Sequence, residues 1–593
     1  MQDLIAQLVV EGVLDASAAQ RARAAIAEGK PLDEAVLAAD GIPEEKLLRS
    51  LAAIFDIPYI DLDKYDLSKE FLAKFPTRLL VQHRLLPLEE TDGVVTVATS
   101  NLCDTTGLDA LRLACGRDCR PVVAPSAEIE RCIKRLLGVG AETLQSLTFA
   151  AGNIQVIDAK GDDEELDLTN AAQDASIIKF VNQVLTEAID LRATDVHVEP
   201  FEDQLRVRYR VDGVLQQANI PPQVRRFQAA IVSRLKILSH LDIAEKRLPQ
   251  DGRIKLRISD REIDVRVSVI PMLHGEAVVL RILDRQGALL GTQHLGMSDR
   301  DRSAFDRILE MPHGIVLVTG PTGSGKTTTL YAALSQINDI ERKIITIEDP
   351  VEYQLNGINQ IQVSTKTGLT FSMGLRAILR HDPDVVLIGE IRDNETAEIA
   401  VQASLTGHLV FSTLHTNDAT SAATRLIDMG LEPYLVASSL EVVVAQRLVR
   451  LICPHCKVEL PAAEAEQIRQ EFGSVVPPVM YRGQGCRNCQ DTGYRGRMGI
   501  FELMVVTDEI RELILHRAPA QSLRKVAVEQ GMISLRRDGW RVIASGKTSP
   551  EEVLRATKDE ITSGAEAAER TFGSHHPAAS EAANLAQPAG SHT

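Results

Sequence analysis

The sequence predicts an α/β multidomain protein built around a parallel sheet that carries a phosphate-binding loop. Three observations predict it. Between residues 300 and 560, the apolar strands "GIVLVTG", "KIITIED", "DVVLIGE" and "HLVFSTL" alternate with helix-patterned segments, the order of a parallel sheet covered on both faces. The first strand runs straight into Gly320-Pro321-Thr322-Gly323-Ser324-Gly325-Lys326-Thr327. Upstream, "QLRVRYRVDGVL" and "REIDVRVSVI" alternate like half-buried strands, which marks a second α/β region.

Length and charge bound the rest. At roughly 150 residues per domain, 593 residues make about four domains. The 44% hydrophobic content excludes bulk disorder and collagen-like architecture. Against 65 Lys and Arg stand 82 Asp and Glu, a net charge of −17. That balance counts against nucleic acid as the main partner, because phosphate binding rests on clustered Lys and Arg. No apolar run reaches the roughly 18 residues of a membrane span. Met1-Gln2-Asp3-Leu4-Ile5 lacks the positive start of a signal peptide. A cytoplasmic protein, recruited peripherally to the membrane, is expected.

Residues 1–60 read as a helical module. Leu4, Ile5, Leu8 and Val9 share one face, and "LIAQLVVEGVLDASAAQRARAAIA" is weakly echoed by "PLDEAVLAADGIPEEKLLRSLAAIF". Residues 61–140 read as a small α/β domain, with a strand at Val94–Ala98 after the turn Asp92-Gly93 and helices near 105–115 and 126–137. The acidic run Gly161-Asp162-Asp163-Glu164-Glu165 makes 141–172 a solvated linker. An α/β domain at 173–290 opens with the helix-patterned "SIIKFVNQVLTEAI" and closes on the strand "AVVLRIL". The nucleotide core follows at 300–450, a tetracysteine subdomain at 451–500 and a helical region at 501–560. Residues 561–593 are low in large apolar side chains and read as a disordered tail, in which His575-His576 are expected to be inert.

The motif G-x-x-x-x-G-K-[ST] between a strand and the helix "TTTLYAALSQI" is a phosphate cradle. Its glycines let backbone N–H groups converge on phosphate oxygens, and the helix N-terminus adds a favourable field. Gly320, Pro321, Thr322, Gly323, Ser324, Gly325, Lys326, Thr327 and Thr328 are therefore the expected nucleotide-binding residues. Lys326 reaches the β- and γ-phosphates and the Thr327 hydroxyl takes a Mg²⁺ position. Around "DVVLIGE", Asp384 precedes the strand and Glu390 follows it. Glu390 is the candidate for Mg²⁺ or its water shell, with a structural acid as the alternative. In "Ile347-Glu348-Asp349-Pro350-Val351-Glu352-Tyr353" a carboxylate past a strand end is placed to polarise the attacking water. His408 and His415 bracket the next strand; sensing of the γ-phosphate and plain loop packing both remain open for them. Asp382-Pro383-Asp384 reads as the start of a strand.

Cys453-Pro454-His455-Cys456 and Cys486-Arg487-Asn488-Cys489 stand 29 residues apart. Two such knuckles suit tetrahedral Zn²⁺, and Cys453, Cys456, Cys486 and Cys489 complete the ligand set without His455. Cys103, Cys115, Cys119 and Cys132 show no such spacing. His197-x-Glu199 with a later C-x-x-C imitates a zinc deaminase, but four thiolates would close the site, and His197 is expected on a strand. Arg482, Arg487, Arg495 and Arg497 make the cysteine segment locally basic, which fits either a solvated edge or a contact with an acidic partner, nucleic acid or anionic lipid.

At these residues the chain resembles the ATPases of type II secretion and type IV pilus assembly (the GspE/PilB group). The resemblance rests on four boxes: Walker A at 320–327, the Asp box at 345–353, the Walker B region "DPDVVLIGEIRD" at 382–393 and the His box at 407–415. It extends to "ATDVHVEPFEDQLRVRYRVDGVL", "DIAEKRLPQDGR" and "DVRVSVIPMLHGEAVVLRIL", then through "AQRLVRLICPHC" and "YRGRMGIFEL". It implies a PAS-like domain joined to a RecA-like ATPase core, working as a homo-hexamer with ATP, Mg²⁺ and Zn²⁺. It implies that Glu352 is the catalytic glutamate and that Glu390 belongs to the Mg²⁺ side. It also implies that Arg266 and Arg281 neutralise charge on the transferred phosphoryl group. The helical repeat resembles modules that in some such ATPases bind cyclic di-GMP. It departs from them at Asp3-Leu4-Ile5, Ala27 and Lys30-Pro31-Leu32. Docking onto the cytoplasmic domain of an inner-membrane assembly protein is the expected role instead. The implied function is a motor for pseudopilus assembly in type II secretion, with type IV pilus extension as the alternative. A DNA-transport motor and a non-hydrolysing nucleotide-gated scaffold are the rivals.

Overall fold

The computed structural model describes residues 2–557 apart from 12, 28–34, 39–42, 63–64, 66, 73, 103–104, 138–153, 157–167, 259–260, 285–290, 365 and 474–475. Lys30-Pro31-Leu32, Cys103, the acidic run 161–165 and the tail 561–593 with His575-His576 lie outside the described residues. The chain forms two compact units, Met1–Asp284 and Arg285–Thr593.

In the first unit, the helices Gln2–Val10 and Ala16–Ala27 bury Ile5, Leu8, Ala18 and Ala22 against Leu47 and Leu51 of the helix Glu44–Ile54. A three-stranded sheet follows, with β1 (Leu86–Thr91), β2 (Val94–Thr99) and β3 (Asp118–Val123) in that order. Asp92 and Gly93 both take positive φ between β1 and β2, the backbone a tight hairpin needs. β2 and β3 are parallel, joined through the helix Thr106–Cys115. The helix Ser126–Leu137 buries Ile129 and Ile133 in the same core. The N–H of Ser126 donates to Glu44 Oε1 at 3.0 Å, which ties this sheet to the helices before it.

The larger sheet of this unit contains β4 (Ile154–Val156), β5 (Ala193–Pro200), β6 (Leu205–Val211), β7 (Val214–Gln217), β8 (Gln250–Ile258), β9 (Arg261–Met272) and β10 (Gly275–Asp284). Their order is β4-β8-β9-β10-β5-β6-β7. Alternate residues such as Val196, Val198, Val207, Val265, Val267 and Leu280 point inward, onto the helices Leu168–Asp190 and Gln228–Leu238. His197 sits on β5. The expected linker is partly structured: β4 pairs with β8 and the long helix begins at Leu168. Ile154 and Val156 give β4 its strand character. Ala171, Ala172 and Gln173 are good helix formers, which lets the helix extend back past the expected boundary.

In the second unit β11 (Gly314–Thr319), β12 (Ile344–Glu348), β13 (Asn359–Gln362), β14 (Val385–Ile388), β15 (Leu409–Leu414), β16 (Leu440–Ile452) and, after a small hairpin of β17 (Lys457–Glu459) and β18 (Tyr481–Gly483), β19 (Tyr494–Val505) are the strands. The main sheet runs β13-β12-β14-β15-β11-β16-β19. It is parallel except for β19. All residues of β11, β12, β14 and β15 are buried, because helices cover both faces. With β11 counted first, β12, β14, β15 and β16 are second to fifth, and the core order is 2-3-4-1-5. This is the RecA-like arrangement. β11 lies centrally, so the loop that follows it opens at the carboxyl edge of the sheet, where such folds bind ligands.

Candidate nucleotide site and metal centre

The loop after β11 depends on glycine at specific points. Gly320, Gly323 and Gly325 have φ of 148°, 80° and 92°. A Cβ on Gly320 would stand 2.6 Å from the Gln446 carbonyl oxygen, and one on Gly325 would stand 2.8 Å from Gln446 Nε2. The loop therefore lies directly on β16. Gln446 is itself buried, and its Oε1 accepts from Thr329 Oγ1 at 2.7 Å. Lys326 Nζ donates to the carbonyls of Gly320 at 2.8 Å and Pro321 at 3.1 Å. Burial depresses the Lys326 pKa, an effect Glu390 partly opposes. Pro321, Thr322 and Gly323 are exposed, while Thr327 and Thr328 sit half-buried in the first turn of the helix Lys326–Ile337. Ser324 Oγ is buried with no hydrogen-bond partner, which leaves a polar atom for a ligand in the cradle.

Glu390 follows β14 at its carboxyl end and is fixed from both sides. The Gly389 N–H donates to the Ile347 carbonyl at 2.8 Å, and Thr413 Oγ1 donates to the Gly389 carbonyl at 2.8 Å. Arg392 donates to Glu390 Oε1, and His415 Nε2 lies 3.2 Å from Oε2. Burial alone would raise the Glu390 pKa; Arg392 and His415 outweigh it and hold the carboxyl below its ordinary range. Glu352 lies in the loop between β12 and β13, and its N–H donates to the Tyr331 hydroxyl at 3.3 Å. His415 thus joins the cluster at the carboxyl edge. His408 does not: it precedes β15, its Nδ1 bonds the Ala403 carbonyl at 2.8 Å and its own carbonyl accepts from the Gly314 N–H at 3.2 Å. That is the amino-terminal end of β11, and the ring closes a turn there. Asp384 is likewise at the far end, where its Oδ2 accepts from the Lys343 N–H at 2.7 Å.

Arg266 and Arg281 belong to the first unit. They are cross-strand neighbours on β9 and β10, and the register extends the row to Arg253 on β8 and Asp195 on β5. Arg281 Nε donates to Asp195 Oδ1 at 3.0 Å.

The four cysteines converge. Cys453 follows β16, and Cys486 caps the short turn Arg487–Cys489. The sulfur pairs Cys453–Cys486, Cys456–Cys489 and Cys486–Cys489 are each 3.7 Å apart. Metal–sulfur bonds of about 2.3 Å in a regular tetrahedron give an edge of about 3.8 Å. The donor set therefore fits a tetrahedral thiophilic ion such as zinc. Among the described residues, His455 is not part of the group. Arg482 is paired with Glu464 at 3.0 Å, which reduces the basic character of this edge.

Residues 170–555 match the family described as "Type II/IV secretion system protein". The chain belongs to the type II/IV secretion system protein family. It is a secretion ATPase. It is 55% identical over 397 residues to the type II secretion system protein E of Pseudomonas aeruginosa, covering 67% of this chain and 78% of that one. It is 42% identical over 538 residues to the type IV pilus assembly ATPase PilB of Myxococcus xanthus, covering 89% and 94%. Among solved structures, the Legionella pneumophila ATPase DotB is similar at 20% identity and TM-score 0.48, over 65% of this chain and 95% of that one. Residues 55–143 match an MshEN domain. No helix among the described residues is long and apolar enough to cross a membrane.

Sequence reasoning missed three residues that shape this secretion ATPase. Gln446 had a usable signal, a lone amide inside the apolar run "EVVVAQRLV". Tyr331 and Asp195 had none, since their roles come from partners 17 and 86 positions away.

Proposed function

We propose that this secretion ATPase drives pseudopilus assembly in a type II secretion machine, as a homo-hexamer recruited to the cytoplasmic face of the inner membrane. The observation that carries the reading is the opening of the phosphate loop after β11 and of Glu390 after β14 at the carboxyl edge of one sheet, in a chain 55% identical to a type II secretion system protein E. The loop amides and Lys326 bind the ATP phosphates. Thr327 and Glu390 are the residues offered to Mg²⁺, which when bound offsets charge on the β- and γ-phosphate oxygens. Glu352 polarises the attacking water, and Arg392 and His415 offset the burial that would otherwise raise the Glu390 pKa. Arg266 and Arg281 are assigned to charge on the transferred phosphoryl group. His415 orients Glu390, and His408 shapes the turn before β15. Cys453, Cys456, Cys486 and Cys489 hold structural Zn²⁺. The N-terminal region docks onto the cytoplasmic domain of an inner-membrane assembly protein; cyclic di-GMP and nucleic acid are not part of the reading.

Type IV pilus extension is the second reading, supported by 42% identity with PilB over 89% of the chain, beside which the protein E of Xanthomonas campestris stands at 44% over 87%. Deleting the gene and complementing with wild type or Lys326→Ala, then scoring exported protein and surface pili together, separates them. Lost export with pili intact supports secretion. Lost pili with export intact supports extension, and full rescue by Lys326→Ala refutes both.

A further inference from the structure

The loop that carries Glu352 is anchored by a buried polar cluster that lies outside the phosphate-binding and metal-binding residues. Tyr331 lies on the helix Lys326–Ile337, behind the phosphate loop, and is 1% exposed. Its hydroxyl donates to Glu348 Oε2 at 2.5 Å. The Tyr331 hydroxyl oxygen in turn accepts from the Glu352 N–H at 3.3 Å and from Gln360 Nε2 at 3.4 Å. Glu348, the last residue of β12, is also buried and accepts from Thr346 Oγ1 at 2.6 Å and from Gln360 Nε2 at 3.2 Å. Gln360, on β13, donates to the Tyr353 carbonyl at 2.9 Å, and its Oε1 accepts from the Leu355 N–H at 2.8 Å. The Tyr353 ring meets the Tyr331 ring edge-on at 6.0 Å.

Three backbone groups of one short loop, at Glu352, Tyr353 and Leu355, are therefore held by only two side chains. One of these side chains belongs to the helix that begins at Lys326. A hydrogen-bonded network of this kind, with Tyr331 and Glu348 buried at its centre, fixes one geometry. A general base displaced by about 1 Å loses roughly 100-fold in rate. We propose that Tyr331 and Gln360 are positioning residues that lock the Glu352 carboxylate in register with the phosphate-binding helix. The proposal rests on the reading of Glu352 as the group that polarises water.

The test is steady-state ATP hydrolysis by the full chain, with nucleotide affinity measured separately using a fluorescent ADP analogue. The variants are Tyr331→Phe, Gln360→Met, Glu352→Gln and the double Tyr331→Phe/Glu352→Gln. Tyr331→Phe and Gln360→Met are expected to lower kcat about 10- to 100-fold, with KM and ADP affinity within about threefold of wild type. The double variant is expected to be no slower than Glu352→Gln alone. Gln360→Met leaves the Tyr331–Glu348 bond in place, so it still decides the matter if loss of that bond unfolds Tyr331→Phe. Normal kcat in Gln360→Met overturns the proposal. So does a fall in affinity that matches the fall in kcat, which would make the cluster merely structural. An additive double variant overturns it as well. Wild-type turnover in Glu352→Gln overturns the reading of Glu352 itself and the proposal with it; an inactive Glu352→Gln beside a normal Tyr331→Phe overturns the proposal alone.

Discussion

Replacing glycine by alanine at two points of the phosphate loop separates backbone strain from steric contact. Gly323 has φ of 80° and nothing within 4 Å of a built Cβ. Gly323→Ala therefore carries only the cost of a left-handed backbone, about 1–2 kcal/mol. Gly325 has φ of 92° and would in addition place its Cβ 2.8 Å from Gln446 Nε2. Gln446 is 2% exposed and bonded to Thr329, so it has little room to yield. Overpacking adds about 1–3 kcal/mol, for a total near 2–5 kcal/mol. The free loop sheds that strain by leaving its binding geometry, so at about 1.4 kcal/mol per factor of ten nucleotide affinity falls by up to roughly 30-fold in Gly323→Ala and up to roughly 5,000-fold in Gly325→Ala. Titration with a fluorescent ATP analogue and Mg²⁺ reads both, with circular dichroism confirming folded protein. Equal losses in the two variants would refute the contact with Gln446 as the distinguishing cause.

Two further outcomes follow from the same unit. Glu552 is fully buried, accepts from the Arg450 backbone N–H at 3.2 Å and from its guanidinium at 2.5 Å, and pairs with Arg555 at 2.8 Å. Burial raises its pKa, but Arg450 and Arg555 outweigh that and hold it low. Glu552→Ala leaves Arg450, half-buried against the Tyr494 ring, without its carboxylate partner. It should cost about 3–5 kcal/mol, which at about 2–4 °C per kcal/mol lowers the melting temperature by about 6–20 °C. Because the folded-state pKa is depressed, the wild-type advantage is complete above the ordinary value of about 4.3 and is lost as pH falls through the folded one. A melting difference that shrank between pH 8 and 6 would contradict this. For the cysteine cluster, elemental analysis is expected to give about one zinc per chain. Trp540, the one tryptophan of the sequence, packs against Phe472 at 5.6 Å, at the end of the helix Ala462–Phe472 that lies between the two knuckles. Chelation or Cys486→Ser should therefore change its fluorescence, and metal-free protein with unaltered emission and normal turnover would rule out a structural metal.

What could be read in advance was local. The strands, the phosphate loop and the two knuckles each show themselves within a dozen residues, because hydrophobic period and motif spacing are properties of neighbours in sequence. The two histidines mark the boundary of that kind of reading. His408 and His415 sit in one box, yet a six-residue strand separates them, about 20 Å at about 3.3 Å per residue. Only His415 reaches Glu390. Gln446 beneath the loop, Tyr331 behind Glu352 and Asp195 beside Arg281 depend on sheet order and register, which no local pattern encodes. β4 escaped for a related reason: three residues become a strand only because β8 offers an edge.

β16 touches both chemistries of this unit. Gln446, under the phosphate loop, and Cys453, at the metal knuckle, are seven residues apart along one extended segment, about 23 Å of backbone. β11 pairs with β16 only as far as Ala445, so it is β19, paired from Gln446 to Ile452 with a register shift after Arg450, that makes this segment a strut. A strut does not absorb displacement along its axis; it delivers it to the far end. The thiolate cluster and the phosphate loop thereby share one strand, and a spectroscopically visible ion seated among the sulfurs would report whether displacement at the phosphates reaches it.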